Sequence, residues 1–454
     1  MQKLSGVHFY INIDNYNNII LDEESRTGGV THAIHALDTF FTSIERFGKK
    51  QSKQLVVEKI TGSRLHLYIV DELLPAFQVV KAVSVYAFII SKFINTEIPK
   101  YKTLKDFNIS IGAAYGKFYD FEFTPEKGDS ETTTIGYAAN FAAKLQALSE
   151  QGKISISEDV FNALPTVETY IYTEVKEPSI KKYSQDRYYT AHLSTLTSPI
   201  RISEADKSEA RVYANSNTLG DIEFSGVKAP LNFRSLSITQ CKKLEGIPVF
   251  ADVRDFTSQF EDNDSNLDKM AQKTQQILQS MYRVSSEHGG IHVQFQGDRE
   301  LSLYHNVPEQ TINGHVIPEE KCFKMAVLAS MRMIDAIKPY SVHIGVGEDF
   351  GKLFATKLGA RGSKDNILLG ETVITADVME DKYAGKDQVA ITAEVFEGLN
   401  NEDSFLASKF KKEGSFFIAT IGYQEYLKSV SYRQGSTNTS QNKYNGAWGD
   451  QQEA

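Results

Sequence analysis

Two cysteines, Cys241 and Cys322, are all that 454 residues contain. They stand far apart and in no metal-type spacing, which excludes a disulfide framework and a cysteine-rich zinc site and favours a reducing compartment. Positive charge is also in short supply. Against 58 acidic residues stand 49 basic ones, for a net charge of −9, so the basic surplus that grips a phosphate backbone is missing and no nucleic-acid partner is expected. Long apolar runs are absent too. The most hydrophobic stretch, residues 73–94, is interrupted by Pro75, Gln78, Lys81 and Lys92. It falls short of the roughly 20 uninterrupted apolar residues that span a bilayer and reads as a buried helix. The first six residues are short and polar and a strand-like run follows at once, so no targeting signal is expected. These absences together predict a cytoplasmic chain with no membrane partner.

What is present is a unit written twice. At about 100–200 residues per domain, the length predicts two to four domains. The first half carries a strand, VHFYINI, and a helix with Leu37, Phe40, Phe41, Ile44 and Phe47 at helical spacing. A hairpin turning at Thr61-Gly62-Ser63, the apolar helix 73–94, a strand over 107–115, and TTTIGYAANFAAKLQAL follow, the last reading as a turn that opens a helix. The second half repeats the order with IPVFADV, a helix near 270–286, the hairpin GGIHVQF-QGD-RELSLYH, a helix over 322–337, a strand over 341–346 and NILLGETVITADVME. Two landmarks keep the same offset: Gly62 and Gly297 lie 235 residues apart, Gly136 and Gly370 lie 234 apart. A period this long means two domains rather than a solenoid. The predicted division is 1–194, a Ser-, Asn-, Asp- and Lys-rich linker 195–235, a second domain 236–430, and a polar, disordered tail 431–454. Each domain reads as α+β with a ferredoxin-like βαββαβ core.

That topology lays the hairpin turn beside the C-terminal end of the first strand. In the second unit it brings Asp252 and Asp298 together from 46 residues apart. Either aspartate alone reads as a helix cap or a turn residue. As a pair at matching ends they form an oxygen-ligand site for hard divalent cations such as Mg²⁺. Two such ions can clamp the attacking and leaving oxygens of an in-line phosphoryl displacement. The first unit has Asn12 and Ser63 at these places, which are neutral. It offers instead Asn140 and Lys144, four apart and so on one helix face, where the second unit has Ile374 and Val378. Such a face is by itself an ordinary solvated stripe. The reciprocal loss, acids kept in one half and amide and ammonium in the other, implies one composite site at an interface.

FADVRDFT, FQGDRELSLY and GYAANFAAKL resemble the signature segments of class III nucleotide cyclases over about residues 1–190 and 240–425. The resemblance implies two tandem cyclase domains folded as an intramolecular pseudo-dimer, functional as a monomer, that converts a nucleoside triphosphate to its 3′,5′-cyclic monophosphate and pyrophosphate. It implies two Mg or Mn ions on Asp252 and Asp298 with the Val253 carbonyl as a further ligand. Asn140 would orient the ribose, and Lys144 would stand where many members have Arg. Lys59 and Thr133 fall at base-reading positions and Arg361 near a triphosphate-binding Arg. A narrower resemblance joins GARGSKDN and AANFAAKL to the pyrimidine cyclases of bacterial anti-phage signalling, the tandem layout being more like the cytidylate group. It implies CTP or UTP as substrate and a separate effector that reads the cyclic product. Lys59 with Thr133 also resembles some adenylate cyclases. A third reading is a non-catalytic nucleotide-sensing module, against which the retained Asp252, Asp298, Asn140 and Lys144 speak.

Overall fold

The computed structural model of the protein describes residues 2–123, 131–196, 202–216, 231–236, 241–254, 264–307, 310–312, 315–317, 322–360 and 364–431. In the first unit β1 (Gln2–Ile13) leads into α1 (Tyr16–Thr27) and α2 (Thr31–Gln51). The hairpin β2 (Leu55–Thr61) and β3 (Arg64–Ile69), α3 (Leu73–Glu97), β4 (Ile109–Phe123), β5 (Glu131–Gly136), α4 (Tyr137–Leu148) and β6 (Lys153–Ile156) follow. The sheet runs β2-β3-β1-β4-β6 and continues into Arg187–His192 and Thr173–Lys176. Strand β1 is antiparallel to β3 and β4, and β2 is antiparallel to β3, so β2 runs parallel to β1 in the ferredoxin-like order. Strand alternation sends Val7, Phe9 and Ile11 into the core and turns His8, Tyr10 and Asn12 to the other face. Helix α2 buries Leu37, Phe40, Phe41, Ile44 and Phe47. Helix α3 is long and apolar enough to cross a membrane, but Phe77, Val80, Val83, Ile90 and Ile94 are spent on this unit's core.

The second unit repeats the plan on strand Lys242–Arg254, helix Asp264–Glu287, hairpin strands Ile291–Gln296 and Arg299–His305, helix Cys322–Ile337 and strand His343–Glu348. Strands Gly351–Leu358 and Asp365–Leu369 and helix Glu371–Val378 complete the match, with the same order around the central strand. Both hairpins turn on a glycine in the left-handed region, Gly62 at φ +60° and Gly297 at φ +72°. Both also carry a bulge at one place, between Val57 and Lys59 in one unit and between His292 and Gln294 in the other. Cys241 and Cys322 are buried and free.

Two local expectations need revision. TTTIG is not a turn: Glu131–Gly136 is a strand paired with Phe118–Phe123, as its β-branched residues favour. The polar stretch 195–235 also holds a helix, Glu204–Ser216. It docks on the first unit through buried Ala210 and Ala214 and through Tyr213, whose hydroxyl donates to Asp38 at 2.7 Å. The tail from residue 432 lies outside the described residues.

The two units exchange arms. Phe123 and Ile135 of the first join the core of the second, while Phe354, Leu358, Ile367 and Leu369 of the second join the core of the first. Carboxylates pin both arms at equivalent positions. Glu131 accepts the Phe295 N–H at 3.0 Å, and Asp365 accepts the Ile60 N–H at 2.7 Å. Glu131 also takes the Lys59 ammonium and, at 3.0 Å, His292 Nε2. Burial would lower the His292 imidazole, but Glu131 and Glu300 outweigh it and push it up to about 9.

A raised histidine gives stability that is fully present below its ordinary value near 6.5 and is lost as pH rises through about 9. Unfolding by urea across that window should therefore show falling stability, and His292→Gln should flatten the fall. Glu131→Ala strands Lys59 and His292 in the interface and should cost about 3–5 kcal/mol at neutral pH.

Candidate active site

Asp252 lies at the end of the central strand of the second unit, opposite Arg299 on one side and Gly345 on the other. Asp298 sits in the adjoining hairpin turn. Burial, and then the charge of Asp252, push the Asp298 carboxyl well above the usual range. Burial raises Asp252 as well, against the pull of Arg299 and Arg254. Asp252 and Asp298 thus form a pair at adjoining positions, strand end and hairpin turn, each of them partly buried. Its donors are all oxygen, which suits a hard divalent cation. Val253, between Asp252 and Arg254, is buried and pairs with Ile344 in the sheet.

Sequence reasoning missed the two arginines beside this pair. Arg254 Nη1 is 3.6 Å from Asp252, and its Nη2 reaches the Glu380 carboxylate at 2.6 Å and the carbonyls of Glu380 and Ala384. Arg299 bridges Asp377 and Glu380, each at 2.5 Å. The signal was present as a basic residue beside each acid in ADVRD and GDRE, matched by the acids of ADVMED.

At the equivalent place in the first unit, Ser63 Oγ donates to Asn12 Oδ1 at 2.8 Å. Asn12 lies opposite Arg64 as Asp252 lies opposite Arg299, so the residue correspondence holds in space. Both residues are neutral, and the Asn12 amide donates onward to Asp14 at 2.8 Å.

Asn140 and Lys144 project from α4 one turn apart. The Asn140 carbonyl accepts the Tyr183 hydroxyl at 3.3 Å, and its Nδ2 is a buried donor with no partner among the described residues. Lys144 is half-buried. Tyr10, on β1, packs against the apolar cluster that includes Phe141 of this helix. Burial and the charge of Glu58 raise its phenol, and Asp298 of the second unit and Tyr183 add to the shift.

A uridylate cyclase of Pseudomonas aeruginosa is 23% identical over 414 residues, 84% of this chain and 76% of that protein. The solved structure of a class III adenylyl cyclase-like ATP-binding protein from Pseudomonas aeruginosa matches with a TM-score of 0.71. It does so over 94% of this chain and 90% of its own, at 17% identity. The chain has the tandem class III nucleotide cyclase fold. No protein-family model matches it.

Within this cyclase fold, the two base-reading candidates are held by interface acids. Lys59 is 3% exposed and donates to Glu131 and to the Phe295 carbonyl. Thr133 is buried, with its hydroxyl 3.5 Å from Glu58. Arg361 lies outside the described residues. Sequence reasoning also missed a buried polar chain on the same sheet face. His8 Nδ1 meets His66 Nε2 at 2.9 Å, and His66 Nδ1 meets Glu58 at 2.8 Å. The donor atoms of these three residues lie within 4.8 Å of one another, close enough to hold a metal ion. Glu58, however, already accepts the Thr134 amide at 2.9 Å and the Thr134 hydroxyl.

The two acids predict a cation response that needs no substrate. Millimolar Mn²⁺ or Mg²⁺ should raise the melting temperature of the wild type through linkage. Asp298→Asn should melt higher than wild type without metal, because one repelling charge is gone, and should lose the metal response. Differential scanning fluorimetry reads both.

Proposed function

We propose that the protein is a pyrimidine nucleotide cyclase. It converts CTP, or UTP, to the 3′,5′-cyclic monophosphate and pyrophosphate, and a separate effector reads the product as a second messenger in anti-phage defence. The observation that carries the reading is the reciprocal division of the two units, with Asp252 and Asp298 in one and Asn140, whose buried amide is unpaired among the described residues, in the other. Two incomplete halves complement each other, and a sensor without turnover has no need of an acid pair. The resemblance of GARGSKDN and AANFAAKL to pyrimidine cyclases supports a pyrimidine base. The uridylate cyclase relative supports it further.

In this reaction the ribose 3′-oxygen bonds to the α-phosphorus, the bond to the pyrophosphate oxygen breaks, and the 3′-hydroxyl proton leaves. Asp252, Asp298 and the Val253 carbonyl would hold two divalent cations, Mg or Mn, which lower the pKa of the 3′-hydroxyl and offset phosphoryl charge. Asn140 brings an unpaired amide donor that can fix the ribose. Lys144 and Arg361 bring positive charge for the phosphoryl oxygens as charge builds there. Base choice would fall to Lys59 and Thr133, with the Lys59 ammonium leaving Glu131 and the Phe295 carbonyl for the base when substrate binds. As Lys59 is a pure donor, it can serve the O2 of a pyrimidine or the N1 of adenine. An adenylate cyclase is accordingly the second reading, favoured by the pairing of Lys59 with Thr133.

Incubating the purified chain with ATP, GTP, CTP and UTP in Mg²⁺ or Mn²⁺, with products read by mass, decides between the two. A cyclic purine monophosphate as the main product overturns the pyrimidine reading. Asp252→Ala and Asp298→Ala should abolish turnover of every nucleotide while the fold survives. Lys59→Ala and Thr133→Ala should shift the CTP-to-competitor ratio of kcat/KM by at least tenfold, about 1.4 kcal/mol. An unchanged ratio in both moves base recognition elsewhere.

A further inference from the structure

We propose that His8, Glu58 and His66 form a structural site for one divalent transition-metal ion of the zinc class, separate from the Asp252–Asp298 pair. The inference does not depend on the cyclase reading.

The three residues come from three adjoining strands. His8 is on β1, Glu58 on β2 and His66 on β3, and β3 pairs with both of the others. Glu58 is the bulge residue of β2, the kind of position that re-aims a side chain. His66 Nδ1 is 2.8 Å from the Glu58 carboxylate, and His66 Nε2 is 2.9 Å from His8 Nδ1. One donor atom from each residue lies within 4.8 Å of the other two. That span can close around a single ion with bonds of about 2.0–2.2 Å. His8 is fully enclosed, and the side chains of His66 and Glu58 are 5% and 3% exposed. His8 Nε2 is buried with no partner among the described residues, so the three groups do not fully satisfy one another.

Two imidazoles and a carboxylate are a borderline donor set that suits Zn²⁺, Co²⁺ or Ni²⁺, whereas hard Mg²⁺ takes oxygen. Metal ligands need partners that orient them, and these have them. One Glu58 oxygen accepts the Thr134 amide at 2.9 Å and the other accepts the Thr134 hydroxyl. The His66 ring stacks on Tyr10 with centroids 3.9 Å apart and planes 12° apart. The His8 ring meets Phe118 edge to face at 4.3 Å. Protonation is suited to metal as well. Burial holds the His8 imidazole well below its usual range. Burial opposes ionisation of Glu58, but His66 and His8 bring it down to about 2. At neutral pH the acid is therefore ionised and His8 is neutral, the forms that bind metal.

The second unit shows that the fold itself does not need these groups. Pro248, Val293 and Leu301 stand at the places of His8, Glu58 and His66. Pro248 pairs with Leu303 as His8 pairs with Tyr68, and Val293 is the bulge residue of its strand. Val293 and Leu301 are buried in an apolar cluster. A buried acid with two imidazoles is costlier than such a cluster, and a bound cation offsets that cost. The enclosure of all three side chains fits a structural ion that enters as the unit folds. It would pin the bulge that precedes Lys59 and, through Thr134, the strand that carries Thr133.

The full chain, produced in zinc-supplemented medium and dialysed against metal-free buffer, should retain one zinc per chain by inductively coupled plasma mass spectrometry. Refolding with Co²⁺ should give the visible absorption of a nitrogen- and oxygen-ligated ion. His66→Gln should lose the zinc on dialysis. The triple variant His8→Leu, Glu58→Val, His66→Leu, which copies the apolar character of the second unit, should hold none. If the triple variant does not fold, His66→Gln decides. Asp298→Asn should retain the zinc, since the acid pair does not hold it. Wild type without zinc, both as purified and after refolding with Zn²⁺, overturns the inference. So does zinc that stays in His66→Gln or that leaves in Asp298→Asn.

Discussion

The reciprocal clasp of carboxylate to backbone amide is the contact on which the other features depend. Glu131 holds the Phe295 amide and Asp365 holds the Ile60 amide, and the strands that carry these acids are the arms each unit inserts into the core of the other. A buried carboxylate must be satisfied by donors in fixed directions, so these contacts set the register of one sheet against the other. The composite site we propose requires that register. Asn140 and Asp298 belong to different units, so a site that used both would depend on the locked arms.

Around this symmetric frame the polar residues have been redistributed. The second unit concentrates acid beside Arg254 and Arg299 and buries an apolar face behind it. The first has a neutral Asn12–Ser63 pair where the acids would be. It buries instead the polar pair Glu58 and His66. Burial alone would raise the Glu58 carboxyl, but His66 and Thr134 bring it down to about 2. The backbone is common to both halves, and the chemistry is divided between them.

Much of this was legible in the chain. The duplication, the strand order, the acid pair and its neutral counterpart follow from offsets and from strand and helix periods, which are local properties of sequence. Helix Cys322–Ile337 and the turns at Gly62 and Gly297 fall where they were placed. Contacts between units were not legible. Lys59 reads as a substrate donor from its neighbours in sequence, yet its ammonium meets Glu131, 72 residues away, and a carbonyl of the other unit. The alignment of His8, Glu58 and His66 depends on three strands coming into register, and on a bulge that no period announces. A Ser- and Asp-rich stretch concealed the helix Glu204–Ser216 because its stability comes from docking on another helix layer, which composition does not report.

The clasp also joins two halves of one polypeptide, and this changes what strength it must have. Two separate chains would have to find each other from dilute solution. Halves on one chain meet at an effective local concentration on the order of millimolar. A modest, polar interface then suffices, and the assembled fraction does not fall when the protein is scarce. Stoichiometry is fixed at one of each half, so every chain carries the acid pair together with Asn140. Gene dosage sets only the number of complete sites, never the proportion of mismatched ones.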